Sequence, residues 1–118
     1  MSTTPNGPFK LVTVNTVPER AFRLIGIMAE ALKERYTIVH VDNCEIESAA
    51  IDTVAQKVRL HQPDLLFCAP MWTPEQAEQI QDIAREIKPG IITHAIPTGL
   101  QPEGIVEYLT ENVPGLLE

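Results

Sequence analysis

Cysteine is scarce: Cys44 and Cys68 are the only two in a chain of 118 residues. Two thiols so placed make no disulfide framework, and a reducing cytoplasm is the expected compartment. They are also too few and wrongly spaced for an iron–sulfur cluster, and the three histidines lack the spacing of a zinc site. Basic residues are few and scattered. Nine of them, dispersed from Lys10 to Lys88, stand against 16 acidic residues, for a net charge of −7. A nucleic-acid groove or an anionic membrane surface needs clustered Lys and Arg, so neither is expected as a partner. No apolar run approaches the length of a membrane span. Residues 1–8 are small and polar, without the basic and apolar segments of a signal peptide, and read as a flexible leader.

Several motifs are missing as well. The loop Asn15-Thr16-Val17 has no glycine. Without a glycine-rich cradle or a P-loop ending, backbone N–H groups cannot come close to a phosphate in the usual way, which argues against a nucleotide cofactor. No Gly-x-Ser-x-Gly elbow is present. A phosphorylated receiver needs acidic residues after the first strand and an Asp after the third, where this chain has Asn15 and Ala69-Pro70.

What is present is the patterning of a single α/β domain over residues 9–118. Residues 9–15 centre on β-branched side chains and predict a first strand. Pro18 opens a helix whose stripe is Leu24, Ile25, Met28 and Leu32. Residues 37–41 predict a second strand, ended by Asp42-Asn43, and residues 45–61 a helix with Ile51, Val54, Ala55 and Val58 inward. The third strand, residues 65–69, is apolar at every position, the pattern of a central parallel strand covered on both faces. Thr73, Pro74 and Gln76 spell a capped helix start, and Ala77, Ile80, Ala84 and Ile87 form that helix's stripe. Residues 91–95 predict a fourth strand. A last helix carries Ile105, Leu109 and Val113, and residues 113–118 read as the beginning of a further strand. The expected fold is therefore a doubly wound, flavodoxin-like or Rossmann-like open parallel sheet of order 2-1-3-4, helices on both faces. Four strands are few for this class, so the chain reads as a fragment of a larger protein, and the edge of the fourth strand offers a homodimer contact.

In such a sheet ligands bind outside the carboxyl ends of the strands. Those ends supply Asn15 and Thr16, then Asp42 with Asn43 and Cys44, then Met71, Trp72 and Thr73, and finally the segment from His94 onward. Asn15, Thr16, Asp42 and Asn43 also suit plain turn and cap roles. Met71 and Trp72 either floor an apolar pocket or fold over the next helix. His94 is the best single candidate for a ligand or acid–base group, although a lone histidine is commonly just packed. No catalytic constellation forms, which favours a binding or scaffold module over an enzyme.

Several segments resemble the cobalamin-binding-type domain that precedes the catalytic barrel in B12-dependent radical SAM enzymes. The matching stretches are Val14-Asn15-Thr16-Val17-Pro18, Val39-His40-Val41-Asp42, Pro63-Asp64-Leu65-Leu66 and Met71-Trp72-Thr73. Pro97-Thr98 leading to Pro102-Glu103, with Pro114-Gly115 after the helix, complete the likeness. The resemblance implies a cobalamin cofactor held by Asn15, Thr16, Asp42, Met71, Trp72, Thr73, Thr93, His94 and Thr98, and a radical SAM catalytic domain as partner in the full-length protein. Four features depart from the pattern. The family's glycine pair aligns with Thr93 and His94, whose side chains occupy volume a macrocycle needs; the small Gly and Ser of its third strand align near Phe67 and Ala69; and neither the cobalt-ligating motif of the related mutases nor the three-cysteine cluster motif is present. His94 is then the one candidate cobalt ligand. The expectation is a non-catalytic module of methyltransferase-like context, binding cobalamin weakly or not at all; the alternative is an interaction or scaffold module with no small ligand.

Overall fold

The computed structural model describes residues 6–15, 18–44, 52–97 and 100–117. Strands and helices alternate as β1 (Asn6–Val14), α1 (Pro18–Leu32), β2 (Tyr36–Cys44), α2 (Asp52–His61), β3 (Leu65–Cys68), α3 (Pro74–Ile87), β4 (Ile92–Ala95) and α4 (Pro102–Leu117). The sheet order is β2-β1-β3-β4, and every neighbouring pair is parallel. This is the doubly wound arrangement that the apolar third strand and the long crossovers predict.

All four residues of β3 are buried, because helices cover the sheet on both sides. On one face Leu11, Leu65 and Phe67 meet Leu24, Ile25 and Met28 of α1 and Ile105 and Leu109 of α4. On the other, Val12, Val14, Leu66 and Cys68 meet Val54 and Val58 of α2 and Ala77, Ile80 and Ala84 of α3. Full burial of each large side chain contributes about 1.5–3 kcal/mol, so β3 anchors both cores. The start of α3 is fixed locally. Thr73 Oγ1 accepts from the Gln76 N–H at 3.2 Å, and Gln76 Oε1 accepts from the Thr73 N–H at 3.0 Å. That reciprocal pair satisfies two donors which a helix start otherwise leaves open.

The amino ends of the strands are held by lysines. Lys10 Nζ donates to the His61 carbonyl at 2.9 Å, and Lys88 Nζ donates to the Gln62 and Pro63 carbonyls at 2.8 and 2.7 Å. Cations thus satisfy carbonyls at and just beyond the end of α2, where Gln62 turns the chain with φ 47°.

Three stretches differ from the sequence expectation. First, β1 begins at Asn6, paired with Tyr36, three residues before its alternation starts. Gly7 makes this approach feasible: its φ is +122°, and a Cβ there would lie 2.6 Å from the Thr37 carbonyl oxygen. Second, β2 does not stop before Asp42 and Asn43. The pairing shifts between Leu11↔His40 and Val12↔Asp42, leaving Val41 as the extra residue of a bulge, and the strand then continues to Cys44. Third, residues 113–117 are not the start of a strand, nor does the helix end before Pro114; α4 runs through Pro114 to Leu117. A proline inside a helix costs roughly 3 kcal/mol or more. Here that cost is offset by packing, since Val113 is fully buried and Leu116 and Leu117 lie against the α1/α4 core. The predicted helix over residues 45–61 is observed from Asp52, and residues 45–51 lie outside the described residues.

Candidate functional site

The direction of the strands sends all their carboxyl ends to one side, where β1 and β3 part to the two wings of the sheet. There the backbone of Asn15 closes onto β2. Its N–H donates to the Cys44 carbonyl at 3.1 Å, and its carbonyl accepts from Asn43 Nδ2 at 3.0 Å. One register position earlier, Thr13 Oγ1 donates to Asn43 Oδ1 at 2.6 Å and lies 2.8 Å from His40 Nε2. Because the Thr13 proton goes to Asn43, the geometry assigns His40 the Nε2–H tautomer. His40 Nδ1 is then a buried acceptor, without a hydrogen-bond partner among the described residues. Burial drives the His40 pKa down to about 4, and Phe22 of α1 covers the ring at a centroid distance of 4.1 Å. Sequence reasoning missed this Thr13–His40–Asn43 network, because only the bulge at Val41 brings Asn43 onto the same face as Thr13 and His40.

The bulge turns Asp42 to the opposite face, toward α2. Its Oδ2 accepts from Lys57 Nζ at 2.6 Å and lies 2.9 Å from His61 Nε2, while Oδ1 accepts from the Asn43 N–H at 2.8 Å. Partial burial alone would raise the Asp42 pKa. The hydrogen bonds from Lys57, His61 and the Asn43 N–H outweigh it and hold the pKa down at about 2. Lys57 and His61 lie one helical turn apart, so this carboxylate clamps β2 to α2.

His94 points toward α4. Its ring lies near-parallel to Tyr108 and edge-on to Phe67, with Nε2 2.6 Å from the Tyr108 hydroxyl oxygen, and burial lowers its pKa. Thr93, facing the other way, accepts at Oγ1 from an Arg85 nitrogen at 2.9 Å. Trp72 is buried with the α2/α3 core, and its Nε1–H donates to the Val14 carbonyl at 2.9 Å. Thr73 caps α3. Both cysteines are fully buried, and burial pushes each pKa up to about 12, far from the thiolate a nucleophile requires.

Between α1 and α4, at the ends of β1 and β3, lies a cavity of about 80 Å³. Its walls are apolar, with Leu24 and Ile25 from α1, Phe67 from β3 and Ile105 from α4, and Met71 at the surface. Arg20, exposed in the first turn of α1, also lines it. Arg20 has neither a hydrogen-bond nor an ion-pair partner among the described residues. Of the nine residues that the sequence singled out, Asn15 and Met71 line this cavity. Asp42, Trp72, Thr73, Thr93 and His94 lie elsewhere, and Thr16 and Thr98 lie outside the described residues. Dispersed among the other charges, Arg20 carries no signal of its own in the sequence, although its place two residues after the helix-opening Pro18 puts it at the carboxyl end of β1.

Sites that hold drug-sized ligands run to roughly 300–1,000 Å³. The cavity between α1 and α4, with its side chains as they stand, does not fit a corrin ring. Among the described residues no group of three or more His, Cys, Asp or Glu is placed to hold a metal ion, and no helix is long and apolar enough to cross a membrane. In comparisons with known proteins, no family model and no curated protein matches the chain.

Proposed function

We propose that the chain is a non-catalytic α/β interaction module that docks a protein partner at the carboxyl ends of β1 and β3. One observation carries this. The side chains with chemical potential are engaged in building the domain, whereas an apolar cavity stays open behind a half-exposed methionine. Asp42 is bound by Lys57 and His61, His94 by Tyr108, and Trp72 by the Val14 carbonyl. Met71 is 46% exposed at the rim of the cavity. A flexible thioether beside an apolar recess suits the burial of a partner's side chain.

The test is site-specific photocrosslinking in cells that naturally make the chain. A benzophenone amino acid replaces Met71 in one variant, and Gln79, on the exposed outer face of α3, in another. One discrete protein adduct from position 71 and none from position 79 is the expected result. No adduct from position 71, or the same adducts from both positions, would overturn the proposal.

A further inference from the structure

We infer that the cavity between α1 and α4 receives the last residue of a partner chain, a valine, leucine or isoleucine with a free α-carboxylate. The inference rests on the docking proposal above and names the chemistry that the site selects.

Size limits the occupant first. An apolar cavity of ~150 Å³ takes up benzene, and a water's share of liquid volume is ~30 Å³. The space here, about 80 Å³, therefore holds about three or four aliphatic carbons, the size of one branched side chain. Chemistry limits it next. Most of the inner wall, Leu24, Ile25, Phe67, Ile105 and Leu109, is buried hydrocarbon that offers a polar group no compensation for lost water; of the two buried polar residues that also line the cavity, Thr13 and Asn15, the Thr13 hydroxyl is already bonded to Asn43. Charge fixes the rest. Arg20, exposed in the first turn of α1, lines the same cavity and has no partner among the described residues, and a guanidinium's planar fork matches a carboxylate with two parallel hydrogen bonds. The α1 helix begins at this end of the sheet, so the positive end of its dipole adds to the preference for an anion.

A C-terminal Val, Leu or Ile carries a carboxylate and a branched aliphatic side chain on the same residue, whereas an internal Asp or Glu carries its carboxylate on a separate side chain. Residues upstream of the terminus have a place as well. A groove of about 390 Å³ continues between the two helices past Leu24, along Ile27 and Val106, with Arg23 and Glu103 also lining it.

The experiment uses the full chain and a library of octapeptides, randomised except for a fixed last residue and offered as free acids or as amides. Enrichment of free-acid Val, Leu and Ile peptides is expected, and amidation should weaken a selected peptide about tenfold or more, the loss of a charge-assisted pair. Arg20→Gln, a change at an exposed side chain, should produce the same loss, and amidation should then cost little further. Ala21→Leu fills the cavity and should abolish binding; its fold is checked by circular dichroism and urea unfolding. Equal retention of acids and amides, or no terminal preference, overturns the inference. So does competition by free 4-methylpentanoate at an affinity equal to the peptide's, because the site would then belong to a free acid. A crosslinked partner from position 71 without any C-terminal preference leaves the docking proposal standing and removes this one. Selective peptide binding with no adduct in cells removes the docking proposal instead.

Discussion

The imidazole of His94 and the phenol of Tyr108 lie near-parallel with ring centroids 5.6 Å apart, and Nε2 is 2.6 Å from the phenolic oxygen. The one histidine that the sequence offered as a metal ligand has its outer nitrogen occupied by α4. Replacing Tyr108 by Phe removes that hydrogen bond and keeps the ring. The expected destabilisation is about 0.5–1.5 kcal/mol, read as a lower urea midpoint with an unchanged slope.

The same pair sets the outcome of a cobalamin titration. Hydroxocobalamin at high micromolar concentration should leave the corrin absorption unchanged, since Nε2 of His94 must break from Tyr108 before it can ligate cobalt and the ring is held against Tyr108 and Phe67. Stoichiometric micromolar binding that disappears in His94→Ala would instead make His94 the ligand and support the cobalamin-type assignment.

His40 should govern stability in weak acid. Its folded pKa, at about 4, lies below the ordinary 6.5, so between those values the unfolded chain binds a proton that the folded chain does not. Stability therefore falls as pH drops from 6.5 toward 4, by on the order of 2 kcal/mol. His40→Phe should flatten urea midpoints measured between pH 7 and pH 4.5. An unchanged pH dependence in this variant would show that another group is responsible.

Asp42 titrates in a separate window. Its folded pKa, about 2, lies below the ordinary 3.8. The stability it contributes is complete above pH 3.8 and is lost as pH falls toward 2, because protonation breaks the clamp to Lys57 and His61. The side chain is partly exposed, so the contribution is on the order of 1 kcal/mol after screening. Asp42→Asn should lower stability at pH 7 by about that amount and remove the corresponding loss between pH 4 and pH 2.

Thiol chemistry offers a check on the core. Cys44 and Cys68 are fully buried with pKa values pushed up to about 12, so an aromatic disulfide reagent at pH 8 should label neither in the native protein. Both should react at once in denaturant. Rapid labelling under native conditions would mean that the α2/α3 core opens readily.

Strand order was legible because its causes are local and repeated. The unbroken apolar run at Leu65–Cys68 demands cover on two faces, and Thr73 with Gln76 marks a helix start without reference to anything distant. The bulge at Val41 was not legible. Nothing in Val39-His40-Val41-Asp42 signals an extra residue, and a strict alternation carried past His40 assigns the wrong face to both Asp42 and Asn43. The course of α4 through Pro114 is not legible locally, because propensity there opposes helix while the packing of Val113, Leu116 and Leu117 supports it. The cavity was hidden for another reason. Its walls come from α1, β3 and α4, segments far apart in the chain, and no local pattern encodes the gap where they meet.

The lysine contacts at the amino ends of the strands have a chemical consequence. A helix closed by backbone groups alone keeps its closure whatever is done to its side chains. Here three carbonyls, of His61, Gln62 and Pro63, depend on the ammonium groups of Lys10 and Lys88. Acylating both amines would erase the positive charge and leave each nitrogen a single N–H in place of three. Beside the backbone bonds of Gln62 to Val58 and of Asp64 to Lys10, one part of the fastening between α2 and β3 thus answers to the charge of two amines and to no residue of the core.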